Sequence, residues 1–183
     1  MVVIVHGYEG SGPGHWQRWL HDELKGLAQP VLCPELPHPT APEKDAWVDT
    51  LSRILDQRGT SPITFVCHSL GCWAVDHLVA RRGSDGIHAA LLVAPPSPLL
   101  PIEALDSFMP PPCDRAAWGP LSPKSRVVGS DNDDFATERE IRGIATSLGL
   151  DCQILPGAGH INADAGFGPF PLAMAWLRET GSI

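Results

Sequence analysis

Six short apolar runs, at 2–5, 31–33, 63–67, 88–93, 126–129 and 152–155, are separated by stretches in which apolar residues recur at helical spacing. Nothing else in the chain restricts its fold as much. The runs do not alternate apolar with polar residues, so strands built from them must be covered on both faces. Between them, Trp16, Trp19, Leu20, Leu24 and Leu27 fall on one helical stripe, and Trp47, Val48, Leu51, Ile54 and Leu55 on a second. Ala74, Val75, Leu78 and Val79 make a third stripe, Ile141, Ile144, Ala145 and Leu148 a fourth, and residues 172–177 a fifth. Strands alternating with helices predict an α/β fold: a parallel sheet with helices on both faces, joined by right-handed crossovers. The chain shows no repeat and no dividing linker, and its 183 residues suit a single domain over 1–183.

The charge balance narrows the partners. Thirteen Lys and Arg against 21 Asp and Glu give a net charge of −8, with no basic run. Nucleic acid and an anionic membrane surface are therefore excluded as expected partners. The opening MVVIVHGYEG has neither a basic region nor a small-residue cleavage site, and no stretch is long and apolar enough to span a bilayer. The five cysteines are odd in number and form no CxxC pair, so free thiols in a reducing, cytoplasmic compartment are expected rather than disulfides or a zinc site.

One connection is unusually long. Segment 95–123, PPSPLLPIEALDSFMPPPCDRAAWGPLSP, has nine prolines among 29 residues, mixed with large apolar side chains that include Phe108. Its apolar content argues against disorder, and long ordered loops are commonly functional. The expectation is a lid or pocket wall, and the alternative a rigid packed crossover.

The third apolar run ends in Cys67-His68-Ser69-Leu70-Gly71, and a helical stripe begins directly after it. A serine on a sharp strand-to-helix turn, flanked two residues away on each side by small residues, is the nucleophile elbow. Gly71 meets that requirement; position 67 holds cysteine where the motif has glycine. The alternative is an ordinary serine helix cap.

A serine hydroxyl needs a base, and the base needs an acid to fix its tautomer. Of eight histidines, His160 in PGAGHIN follows the last strand; His6, His15, His38 and His68 lie near other loop ends. His68 is expected to support the elbow. After the fifth strand, GSDNDDF offers Asp131, Asp133 and Asp134, with Asp134 placed to cap the following helix and Asp133 at the strand's carboxyl end. A calcium loop is excluded, since Phe135 takes the fifth position and the required glycine is missing. Ser69, Asp133 and His160 thus follow strands three, five and six, which in a parallel sheet end on one edge. Their order along the chain is that of the α/β-hydrolases. For an oxyanion hole the helix N-terminus offers the Leu70 N–H, and the turn at Gly7 makes the Tyr8 N–H the second donor. The glycines of VHGYEGSGPGHW match neither nucleotide-binding pattern.

Four segments then carry a resemblance: HGY and GHWQRWL within 5–20, CHSLGC at 67–72, GSDNDDF at 129–135 and GAGHIN at 157–162. Over nearly its whole length the chain resembles the small α/β-hydrolases of the retinoblastoma-binding-protein-nine and YdeN type. The resemblance implies a triad of Ser69, Asp133 and His160, a minimal six-stranded sheet in the order 2-1-3-4-5-6, and no large cap domain. Cys67 departs from the glycine or alanine usual there. The expected activity is hydrolysis of a small acyl ester, or an amide, through an acyl-enzyme, with no metal or cofactor. Trp16, Phe167 and Phe108 are expected to line the acyl pocket. The alternatives are a non-catalytic module binding a protein partner and an acyltransferase using the same triad.

Overall fold

The computed structural model describes all 183 residues. Its six strands are β1 (Val2–Val5), β2 (Val31–Leu32), β3 (Ile63–His68), β4 (Ile87–Val93), β5 (Arg126–Ser130) and β6 (Asp151–Leu155). They form one parallel sheet in the order β2-β1-β3-β4-β5-β6. The helices are α1 (Trp16–Gly26), α2 (Lys44–Gln57), α3 (Leu70–Arg82), α4 (Arg115–Trp118), α5 (Glu138–Leu148) and α6 (Pro171–Glu179). No helix is long and apolar enough to cross a membrane.

Every residue of β1 and β3 is buried, as two-sided cover demands. Successive side chains still point to opposite faces. Val3, Val5, Phe65 and Cys67 join α2, α3 and α5 in one core, while Val2, Ile4 and Val66 join α1 and α6 in the other. The absence of polar alternation therefore follows from having a core on each face.

Five of the six tryptophans are fully buried, and four of these satisfy their indole N–H across a loop. Trp16 donates to the Ile161 carbonyl at 2.8 Å, Trp47 to the Pro37 carbonyl at 2.7 Å, Trp73 to the Pro96 carbonyl at 3.1 Å and Trp118 to Asp76 Oδ1 at 2.8 Å. Each ring fills core volume and fastens an irregular segment to it.

Segment 95–123 carries a 3-10 turn at Glu103–Phe108 and the short helix α4, neither of which the proline-rich sequence suggests. Several contacts hold it down. Asp76 accepts from the Cys113 N–H at 3.0 Å as well as from Trp118, and His77 Nε2 donates to the Phe108 carbonyl at 2.8 Å. Phe108 packs edge-on against Trp47. The expected cap for α5 shifts from Asp134 to Thr137, whose hydroxyl accepts the Glu140 N–H while Glu140 reaches back in a capping box. Asp134 lies three residues before that cap position, too early in the turn to do this.

The chain moves outward from β1 to β2, then returns to β3 on the other side of β1. Such a reversal leaves a crevice at the carboxyl ends of β1 and β3, where α/β sheets place their ligands. Ser69 follows β3 at that crevice.

Candidate active site

Ser69 has φ 51° and ψ −126°, a conformation that non-glycine residues adopt only when their surroundings impose it. The surroundings are identifiable. A Cβ on Gly71 would lie 2.5 Å from the His6 carbonyl oxygen and 2.7 Å from that of Val5, so α3 meets the end of β1 at a distance only glycine permits. Cys67 is fully buried and its side chain joins the α2–α3 core, so its Cβ is accommodated away from that contact. Ser69 occupies the N-cap position of α3 but its side chain caps nothing. Its hydroxyl lies 2.9 Å from His160 Nε2 instead.

His160 is held from its other side. Its Nδ1 lies 3.0 and 2.9 Å from the two carboxylate oxygens of Asp133, whose side chain is fully buried. A carboxylate only accepts, so the ring proton sits on Nδ1 and leaves Nε2 to accept from the Ser69 hydroxyl. Asp133 is fixed in turn by the Phe135 N–H at 2.9 Å. The Phe135 ring packs on the imidazole at a centroid distance of 4.5 Å.

Residues 130–132 fasten the loop that delivers His160. Ser130 Oγ accepts the Ala158 N–H at 2.9 Å, Asp131 Oδ1 the Gly157 N–H at 2.7 Å, and Asn132 Oδ1 the Gly159 N–H at 2.7 Å. The three carboxylates of GSDNDDF are thus separated by function: Asp131 holds backbone, Asp133 holds the imidazole, and Asp134 is exposed. The sequence carries no local signal for Asn132, because its partner Gly159 lies 27 residues away.

His68 lies beneath the site. Its Nε2 donates to the His160 carbonyl at 2.9 Å, and its ring sits 4.9 Å from that of His160. Burial first, then the neighbouring histidines, lowers its pKa well below the ordinary range, so it acts as a neutral donor.

The two N–H groups expected to serve as oxyanion donors are both unpaired within the protein. The Tyr8 N–H makes no hydrogen bond within the protein, and Leu70, as first residue of α3, has an N–H without an intrahelical partner. The β1–α1 loop presses against the serine: a Cβ on Gly7 would come within 2.8 Å of Ser69 Cβ.

A cavity of about 410 Å³ opens over Ser69 and His160, with Tyr8 on one wall and Pro96, Ile102 and Leu105 from segment 95–123 on another. Trp16, Phe108 and Phe167 do not line it. Trp16 and Phe108 are fully buried, the first tied to Ile161 beneath the His160 loop, the second in the core against Trp47. Phe167 packs on Phe170 beside α6. A second cleft, of about 490 Å³, lies across the β1–α1 loop beside Cys33. Burial raises that thiol to a pKa of about 11, so it is not a thiolate near neutral pH, and the nucleophile–base pair belongs to the first cavity.

Comparison with known proteins gives the family and the fold. The family described as serine hydrolase matches residues 2–179. YdeN of Bacillus subtilis (strain 168) is 30% identical over 179 residues, covering 93% of this chain and 90% of that one. The crystal structure of the ydeN gene product superposes with a TM-score of 0.87 at 26% identity, covering 100% of this chain and 98% of the other. A YdeN-like protein from Pectobacterium atrosepticum gives 0.78 at 26% identity, covering 100% and 90%. With its six-stranded α/β-hydrolase sheet, the chain belongs to the serine hydrolase family, in its small YdeN type.

Proposed function

We propose that the protein hydrolyses small carboxylic esters by acyl transfer through Ser69, with His160 as base and Asp133 as its orienting acid. The observation that carries the reading is the unbroken chain from Ser69 Oγ through His160 to a buried Asp133, with bonds of 2.9 to 3.0 Å.

Attack by Oγ on the ester carbonyl transfers the hydroxyl proton to His160 Nε2. Asp133 stabilises the imidazolium that forms. The oxyanion is held by the Tyr8 and Leu70 N–H groups, each worth about 3 kcal/mol of barrier lowering in such sites. Collapse of the tetrahedral intermediate breaks the C–O bond, and the proton on Nε2 leaves with the alcohol. Water, deprotonated by the same nitrogen, then releases the acid and restores the serine.

Segment 95–123 walls the acyl side through Pro96, Ile102 and Leu105, and its anchoring through Asp76 and His77 favours a fixed wall over a mobile lid. Five free thiols suit a reducing, cytoplasmic setting. The test is turnover of short-chain aryl esters by the wild type and by Ser69→Ala. Loss of turnover with an unchanged melting temperature is expected, and retained turnover would remove Ser69 from the mechanism.

A further inference from the structure

His15 faces the same cavity as Ser69 but takes no part in the Ser69–His160–Asp133 chain. It is 6% exposed, held between Trp16 and His68 at ring-centroid distances of 5.6 and 4.8 Å. Its Nδ1 accepts the Gln17 N–H at 3.2 Å and so caps α1. An accepting Nδ1 places the ring proton on Nε2. Burial, and secondarily His160, lowers its pKa to about 4, so the ring is neutral at pH 7. Nε2 has no partner in the protein, and the one fully enclosed side-chain atom without a partner is Arg58 Nε, so His15 Nε2–H opens onto the cavity. An Nε2–H held by a packed ring and open to the cavity is available to donate to a bound molecule.

Its position assigns the end of the substrate it meets. The rings of His15 and His160 both pack on that of His68, at 4.8 and 4.9 Å, and both line the cavity. His160 returns its proton to the leaving oxygen, so the leaving group lies on the His160 side of the cavity, the side His15 shares. The cavity is also two-sided in chemistry. Pro96, Ile102 and Leu105 make an apolar wall, whereas the β1–α1 loop with Glu9 and the loop carrying Asn162 and Asp164 make a polar one. His15 ends the β1–α1 loop and belongs to the polar wall.

Resting on the hydrolase reading above, we propose that His15 is a specificity-determining residue. Its Nε2–H donates to a second oxygen in the leaving alcohol, so the enzyme prefers esters of oxygenated alcohols, of glycol or glycerol type, to esters of plain alkyl alcohols of equal size.

The test compares 2-methoxyethyl acetate with butyl acetate, whose alcohols have the same number of heavy atoms. His15→Ser keeps a hydroxyl that caps α1 but cannot reach the cavity, and its melting temperature checks the fold. The preference for the methoxyethyl ester in kcat/KM is expected to fall about fivefold in H15S, the equivalent of a net hydrogen bond near 1 kcal/mol. An unchanged preference ratio, whether or not both rates drop, overturns the proposal and leaves His15 a helix cap. Turnover of neither ester by the wild type overturns the hydrolase reading and this inference with it.

Discussion

Asp133→Asn replaces one oxygen by an NH₂ of nearly the same size, and the structure dictates which way the amide must turn. The Phe135 N–H, 2.9 Å from Oδ1, requires an acceptor there, so the new NH₂ takes the place of Oδ2, 2.9 Å from His160 Nδ1. Two donors cannot face each other at that distance, and the remaining oxygen, 3.0 Å from Nδ1, is already taken by the Phe135 N–H. The NH₂ therefore donates to Nδ1 and the imidazole proton moves to Nε2, which then donates toward Ser69 Oγ and can no longer accept its proton. The fold loses little, because the Phe135 bond and the packed volume both survive. Activity loses much, since a wrong tautomer in a triad of this kind lowers kcat by about 10⁴. The assay is kcat on a short aryl ester alongside a urea unfolding curve. Asp131→Asn and Asp134→Asn are the controls; the Asp131 bond to the Gly157 N–H needs only an oxygen, and Asp134 is exposed. A D133N enzyme within tenfold of wild type, or a D131N enzyme as impaired as D133N, would refute this assignment of the acid.

In Gly71→Ala, alanine's better helix propensity favours the variant by about 1 kcal/mol, but its Cβ meets two backbone oxygens at 2.5 and 2.7 Å that cannot rotate away. The clash wins, and both esterase activity and the urea midpoint are expected to drop; a fully active G71A would mean the elbow is looser than described. Trp16→Phe keeps most of the ring volume but strips the Ile161 carbonyl of its donor, at a cost of about 1–3 kcal/mol. Because that carbonyl is one residue from His160, kcat should fall with stability, and a stable, slow W16F read by the same two assays would confine the bond to catalysis. His15 and His68 both have pKa values lowered by burial, so below about pH 6.5 the unfolded chain binds protons that the folded chain refuses. Their contribution is full above pH 6.5 and is lost as pH falls toward 4, so urea midpoints should decline between pH 7.5 and 5; a rising midpoint would contradict the assigned neutrality.

The sheet was legible because the strands are short, largely apolar runs and the five longer helices are stripes, two patterns that differ in period. Ser69, Asp133 and His160 could be named together because parallel strands end on one edge, which turns order along the chain into proximity in space. The 2.9 Å from Ser69 to His160 could not be read this way, nor could the grip of residues 130–132 on 157–159, since both depend on how two loops meet. Large apolar residues were the least legible. Trp16, Phe108 and Phe167 have the composition of a pocket wall, but the same side chains serve a core equally well, and only tertiary packing separates the two. The cap at Thr137 did have a signal, the Thr-x-x-Glu spacing to Glu140, which outweighs the nearer Asp134. His15 had a weaker one, a histidine directly before an amphipathic helix.

The central claim is that Ser69 is an activated nucleophile. Treating the purified protein with a fluorophosphonate and mapping the adduct by mass spectrometry tests it without knowledge of the substrate. A single adduct on Ser69, absent in His160→Ala, is the predicted result. No adduct, or one on another residue, would contradict it.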